Sequence, residues 1–311
     1  MRTASIPILF AALVLLFGCD DSLPPGPQAD ETGVTESLGP DLGKPFFIPR
    51  PKIAFSSSRT GSMEIYIMNP DGSGVEQLTE EGGFAPALSP NGRYVAFNSN
   101  RDGNHDIYVM RSDGSDLRRL TSNPASDTGP AWHPSGRWIA FTSDRAGNWD
   151  IYVIRATGGG LRRVTHHPDS EGPPSWSPMG TRIAFAREGD IYTIGLTGLG
   201  EVRLTNDPAS DYSPEWSPFG HEIVFMRKGY YEAQIHVMRA DGSGVEQITS
   251  ASNIDLSHPS WSPLGRRIAC AAYRFGVSRI YVLNRDGTDV TMVTAPNQAL
   301  DYAPDWGVCR R

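Results

Sequence analysis

The chain has 311 residues, 28 Lys and Arg against 35 Asp and Glu for a net charge of −7, and three cysteines. A mildly acidic chain without a basic stripe is a poor match for a general nucleic-acid role. The cysteine count leaves at most one pair for a disulfide once any one thiol is used elsewhere.

At the N-terminus, Arg2 supplies a minimal positive region, residues 6–17 form an apolar run too short to span a bilayer comfortably, and Leu16-Phe17-Gly18-Cys19 ends it. The stretch resembles the leader and lipobox of bacterial lipoproteins. That resemblance implies a signal peptide over 1–18, cleavage before Cys19, a diacylglyceryl thioether on Cys19, and a place in the bacterial envelope on the periplasmic side or at the cell surface. An ordinary secretory signal ending near a cysteine is the alternative. Acyl chains on Cys19 would hold the protein on a membrane, at about 0.8 kcal/mol per buried CH₂. Residues 19–45 are rich in Pro, Gly, Asp, Glu and Ser without a period and read as a disordered tether, with a mean reach on the order of 30 Å.

Residues 46–311 read as one domain made of a unit that recurs about every 40 to 45 residues. Its clearest copy, residues 130–165, runs PAWHPSGRWIAFTSDRAGNWDIYVIRATGGGLRRVT. Short strands of about five residues alternate there with Pro-x-Gly and Gly-rich turns, and apolar residues two apart mark one strand face. The second strand recurs six times, as Ile53-Ala54-Phe55, Val95-Ala96-Phe97, Ile139-Ala140-Phe141, Ile183-Ala184-Phe185, Ile223-Val224-Phe225 and Ile268-Ala269-Cys270. The third recurs as Ile65-Tyr66-Ile67 through Ile280-Tyr281-Val282, and the fourth ends in Leu78-Thr79 through Val293-Thr294. Four short antiparallel strands cannot bury both faces alone, so the units must stack, and radial stacking predicts an all-β, six-bladed propeller. The first-strand signature appears ahead of Leu88, Trp132, Trp176, Trp216, Trp261 and Trp306, so its last copy has no second strand after it. Closure follows if residues 302–306 complete the first blade and remove an open edge.

If the innermost strand runs from top to bottom, the loops leading into it share the top face with the loops joining strands two and three. The Pro-x-Gly and Asp-Gly turns fall on the bottom, as tight hairpins with little to offer a ligand. A repeated acid precedes each Trp by five or six residues, at Asp127, Glu171, Asp211, Asp255 and Asp301, with Gly83 in the Leu88 blade. Two readings stand: an acidic mouth that attracts a cation or a basic segment of a partner, or carboxylates tied to their own turns and to neighbouring arginines. A Ca²⁺ ion at such a ring is compatible with its chemistry, and no motif calls for any other cofactor. A second set, Arg59, Arg101, Arg145 and Arg274 with Glu64, Asp106, Asp150 and Asp190, predicts ties across the hairpin of strands two and three or to the next blade. Function gathers where the repeats differ, at Trp149, Tyr230, Tyr231 and Phe275, with His105 and the Glu188-Gly189 loop as further departures. A Cys270–Cys309 bridge is permitted in an oxidising compartment, but Cys270 stands where other repeats carry Phe and reads as a buried thiol.

The units Ser89-Pro90-Asn91-Gly92, Trp132-His133-Pro134-Ser135-Gly136, Trp176-Ser177-Pro178-Met179-Gly180 and Trp216-Ser217-Pro218-Phe219-Gly220, each followed by Ile-Ala-Phe-like and Ile-Tyr-Val-like strands, resemble the WD-like repeats of the TolB propeller family. The resemblance covers residues 51–306. It implies a six-bladed propeller and a non-enzymatic scaffold, monomeric, that binds an envelope protein, as the family's propeller binds the lipoprotein Pal. Related repeats also occur in prolyl-oligopeptidase-type peptidases, but no Gly-x-Ser-x-Gly nucleophile elbow is present here. They occur as well in oligogalacturonate lyases, which hold a metal by histidines. His166, His167 and His258 fall in top loops, and would be the residues of a metal-dependent lyase or hydrolase. Glycan binding through the aromatic loops is the third reading.

Overall fold

The computed structural model describes residues 50–309, except 231 and 296–298. The expected leader over 1–18, the tether over 19–45, the lipidation site Cys19 and the aromatic Tyr231 lie outside the described residues.

The chain forms six four-stranded antiparallel sheets. One sheet joins the two ends of the domain: Asp301–Cys309 is innermost, followed outward by Arg50–Ser57, Glu64–Met68 and Glu76–Gln77. Ile53 lies opposite Trp306 and Arg50 opposite Cys309, so the expected closure by the C-terminal strand is what forms. The other sheets are consecutive in sequence, with innermost strands Phe84–Leu88, Asp127–Trp132, Ser175–Trp176, Ser210–Trp216 and Asp255–Trp261. Each innermost strand touches the next, all the way round to Asp301–Cys309. The six sheets are therefore blades about one axis, numbered 1 to 6 in chain order.

Strands two and three of a blade are covered on both faces by neighbouring blades, which is why they read as continuous apolar runs. Phe55, Phe97, Phe141, Phe185 and Phe225 are fully buried, and burial of each is worth roughly 1.5–3 kcal/mol. Each Phe stacks on the aromatic of strand three, with ring centroids at 5.8 Å for Phe55–Tyr66, 5.8 Å for Phe97–Tyr108 and 6.1 Å for Phe141–Tyr152. Blade 5 substitutes His236 against Phe225 at 5.6 Å. Blade 6 has Cys270 in place of Phe. Both Cys270 and Cys309 are free and buried, in separate parts of the core, and burial pushes the Cys270 thiol up to about 12.

The outermost strands are only two residues long, shorter than the expected five, because the Thr that ends each repeat leaves the ladder to make a different bond. Its hydroxyl accepts the first apolar N–H of strand three, as Thr79 does from Ile65 at 2.9 Å, Thr121 from Ile107 at 2.9 Å and Thr165 from Ile151 at 2.8 Å. Short outer strands leave little open edge for pairing with another chain.

The innermost strands carry a feature that the repeat pattern did not disclose. Their pairing with strand two shifts register between Phe84 and Ala87, Thr128 and Ala131, Tyr212 and Glu215, and Ser257 and Ser260. The residue three before the Trp position holds positive φ in five blades: Ala85 at 47°, Gly129 at 60°, Ser213 at 50°, His258 at 49° and Ala303 at 46°. Each precedes a proline, and a proline inside a strand is tolerated at such bulges because its missing N–H falls where no ladder bond is made. In blade 4 the equivalent residue is Pro173, whose ring fixes φ near −65°. That blade cannot form the bulge, and its innermost strand shrinks to Ser175–Trp176.

Candidate functional site

On the top face, four of the five repeated acids are drawn into the structure. Asp127 accepts Arg145 Nη2 at 2.7 and 2.8 Å, Asp211 accepts Arg227 at 2.7 and 2.9 Å, and Asp301 accepts Arg59 at 3.0 Å and the Ser57 hydroxyl at 2.6 Å. Asp127, Asp211 and Asp301 are fully buried. Glu171 meets Arg187 at 3.4 Å and the Thr165 hydroxyl at 2.8 Å, and burial pushes its carboxyl up to about 7. Of the two readings of this ring, the geometry is that of carboxylates tied to arginines. A cation at the ring would have to displace those guanidinium groups.

The arginines complete a layered arrangement. Arg145 lies 4.9 Å from the Tyr152 ring centre, Arg59 4.5 Å from Tyr66 and Arg101 5.0 Å from Tyr108, so each strand-two arginine caps its blade's aromatic stack by a cation–π contact. The predicted tie of these arginines to the strand-three acids does not form. Ser143 lies opposite Asp127 on one side and Asp150 on the other. Its hydroxyl accepts Arg145 Nε at 2.8 Å, leading the guanidinium inward to Asp127. The strand-three acids turn outward instead, Asp106 to Arg119 at 2.5 Å, Asp150 to Arg163 at 2.8 Å, and Asp190 to Arg203.

Blade 6 breaks this pattern. Asp255 is half-buried and accepts the Ala233 N–H of blade 5 at 2.9 Å. Arg274 lies over Phe275 at 4.8 Å, with its Nε buried and unpartnered. Beside this departure the top face becomes aromatic: Tyr230 is 91% exposed and Phe275 85%, with Tyr212, Tyr273 and Tyr302 partly exposed. Trp149 does not join them. It is half-buried in blade 3, and its carbonyl accepts the Glu171 N–H at 2.8 Å. Tyr212 and Tyr302 were overlooked in the sequence, although both stand four residues before the Trp, where blade 3 has Thr128. His258 tilts against Tyr302 with centroids 4.3 Å apart, and burial lowers its imidazole to about 4. His167 contacts Asp169 at 3.1 Å in a different loop, between blades 3 and 4. Among the described residues no group of three or more His, Cys, Asp and Glu is gathered closely enough to hold a metal.

Nearer the axis, the residue just before the Trp position supplies contacts that the sequence reading missed. Asp305 Oδ2 accepts the Leu88 N–H at 2.7 Å, Ser175 the Trp216 N–H at 3.1 Å, Glu215 the Trp261 N–H at 2.9 Å and Ser260 the Trp306 N–H at 2.9 Å. Each bond runs from one innermost strand to the next. Burial and the Asp305 charge push the Glu215 carboxyl well above its ordinary range, and burial pushes Asp305 up to about 6.

The family model for the TolB beta propeller domain matches residues 81–190 and 168–306, which together cover most of the chain. The chain belongs to the TolB β-propeller family. Its relation to solved members is one of fold. TolB from Acinetobacter baumannii superposes with a TM-score of 0.73 at 20% identity, over 82% of this chain and 66% of that one, so this chain spans just under two thirds of that protein. A putative TolB from Agrobacterium tumefaciens gives 0.63 at 25% identity, over 83% and 99%. An oligogalacturonate lyase in complex with manganese gives 0.53 at 13% identity, over 79% and 73%. No curated protein matches the sequence.

Proposed function

We propose that this TolB-type propeller is a non-enzymatic scaffold, tethered in the bacterial envelope through Cys19, that binds a protein partner on its top face. The observation that carries the proposal is the placement of Tyr230 and Phe275. These large aromatics stand almost fully exposed on the strand-two to strand-three loops of neighbouring blades, beside Tyr212, Tyr273 and Tyr302. Clustered exposed aromatics are costly in water and are the side chains that dominate interface energetics. In this reading the arginine-tied acids Asp127, Glu171, Asp211 and Asp301 hold the loops in place. Asp255, which has no arginine partner among its hydrogen bonds, is the acid placed to meet a basic or amide-rich segment of the partner. Membership of the TolB family fits a protein-binding scaffold.

The test is affinity capture from envelope extract by the lipidated protein, compared with a Tyr230→Ala/Phe275→Ala variant shown by melting to be folded. A protein held by the native chain and lost by the variant supports the proposal. Unchanged capture removes the aromatic face from it, and binding of the native chain to a glycan array with no protein captured replaces the protein partner with a sugar.

A further inference from the structure

The bottom face was expected to offer little, yet it carries a second exposed apolar surface. The turns between the first and second strands of blades 4, 5 and 6 share the pattern Ser-Pro-x-Gly, and x is Met179, Phe219 and Leu264, exposed by 83%, 65% and 53%. These turns abut one another. A Cβ on Gly220 would lie 3.4 Å from Pro178, and one on Gly265 would lie 3.5 Å from the Phe219 ring, so the three side chains form one arc on consecutive blades.

The same rim is basic on an acidic protein. The five turns at 89–93, 133–137, 177–181, 217–221 and 262–266 contain no Asp or Glu, and Arg93, Arg137, His221 and Arg266 are exposed on them. Blade 1 completes the rim with exposed Arg50. On the outer turns of this face Asp71, Asp113, Asp241 and Asp286 each bind their own turn's Ser or Thr, Asp116 and Asp289 meet Arg111 and Arg267, and Glu222, directly after the blade 5 turn, is held by Arg285.

This is also the face from which the N-terminal segment departs. Arg50 pairs with Cys309, and a Cβ on Gly92 in the blade 2 turn would lie 2.8 Å from the Cys309 Cα, so residue 50 begins at the bottom rim. The 49 residues before it include Phe46-Phe47-Ile48 directly upstream of the rim and Cys19 further back. The stretch from Cys19 to residue 49 reaches on the order of 30 Å.

We infer that the bottom rim is a membrane-docking surface for anionic phospholipid, with Met179, Phe219 and Leu264 entering the headgroup region and Arg50, Arg93, Arg137 and Arg266 meeting lipid phosphates. An apolar arc on blades 4 to 6, continued round the rim by arginines on blades 6, 1, 2 and 3, is a composition that binds an anionic interface. Docking in this orientation turns the aromatic top face away from the bilayer. The inference takes its occupant from the tethered reading, and the test separates the two.

In the first arm, Cys19→Ser protein, which carries no acyl chain, is sedimented with phosphatidylglycerol-containing vesicles and with pure phosphatidylcholine vesicles. Binding should favour the anionic vesicles, and Arg137→Gln and Arg266→Gln should each weaken it about fivefold. Met179→Ser/Phe219→Ser/Leu264→Ser should weaken it at least as much, with melting confirming that each variant is folded. In the second arm, lipidated protein in the same vesicles carries a fluorophore on Ser135→Cys at the bottom rim or on Phe275→Cys at the top. Nitroxide lipids should quench the first and leave the second bright. Equal binding to both vesicle types, or a concentration-dependent dimer abolished by the apolar substitutions without vesicle binding, overturns the inference; so does equal quenching at both sites. Vesicle binding by Cys19→Ser protein, together with the finding that the native protein recovered from cells carries no acyl chain on Cys19, would sink the tether and leave the docking surface standing.

Discussion

Glu215 in blade 5 accepts the main-chain N–H of Trp261 in blade 6 at 2.9 Å, and the same bond recurs wherever the residue before the Trp position is polar. Asp305 makes it to Leu88 across the junction where the two ends of the domain meet, at 2.7 Å. Ala87 and Ala131 at the equivalent positions have no side-chain acceptor to offer. The ring is thus held at its centre by four side-chain latches and, where the residue is Ala, by the next blade's Trp indole N–H, which donates to the Ala carbonyl, Trp132 to Ala87 at 3.0 Å and Trp176 to Ala131 at 3.2 Å.

Removing the closing latch should be felt. Asp305→Ala leaves the Leu88 N–H without its acceptor, which costs about 1–3 kcal/mol, whereas Asp305→Asn keeps an oxygen for it. Urea unfolding of the two variants at pH 5 should show the Ala form clearly weakened and the Asn form near native. Equal loss in both would mean that the hydrogen bond to Leu88 is not what Asp305 contributes there.

The same aspartate predicts a pH dependence. Asp305 titrates at about 6 in the folded protein against an ordinary 3.8, and Glu171 at about 7 against 4.5. Between those values the folded chain keeps protons that the unfolded chain has released, so stability falls as pH rises through each window and stays reduced above it. The loss for Asp305 is at most about 3 kcal/mol. His258, lowered to about 4 by burial, works in the opposite sense and removes stability as pH falls below about 6.5. Melting curves of Asp305→Asn should therefore lie closest to those of the native chain below about pH 4 and exceed them above about pH 6. Both proteins keep the fall that Glu171 brings, so the assignment is refuted if the advantage of the variant over the native chain does not grow between about pH 4 and about pH 8.

The blade count, the closing strand and the buried Phe positions were legible because each is a repeated residue type at a repeated spacing, and burial on both faces demands apolar runs. The bulges were not, since a positive φ at Ala85, Ser213 or Ala303 leaves no mark in residue type beyond the proline that follows. The fate of the acids turned on which way Arg145 leans from Ser143, between two carboxylates equally close in the ladder. Spacing shows both as neighbours and cannot choose. The central latches escaped because Ser, Glu and Asp alternate there with Ala, which hides a shared geometry behind unlike side chains.

The arginine-tied acids should behave as structure. Asp127→Ala strands Arg145 in a largely buried site and should cost about 3–5 kcal/mol, while Asp255→Ala, which lacks an arginine partner, should cost near 1 kcal/mol for the lost Ala233 N–H acceptor. Chemical denaturation of the two, side by side, checks this. Similar small losses would show that the Asp127 pair is not the tie that holds its loop.

Ring closure carries the last expectation. Trp306 is buried against Ile53 and Phe55 of blade 1 and Ala269 and Val282 of blade 6, so it fills the seam between the last blade and the first. Trp306→Ala should cost about 3–5 kcal/mol through the cavity alone. Omitting residues 301–309 goes further, because it uncovers the full edge of Arg50–Ser57 as well as the core beneath it. An edge of that length, with Ile53 and Phe55 now unshielded, is a template for pairing with another chain. The truncated protein should associate in sedimentation velocity at concentrations where the Trp306→Ala protein stays monomeric. Association of both to the same extent would show that the exposed core, rather than the open edge, drives it.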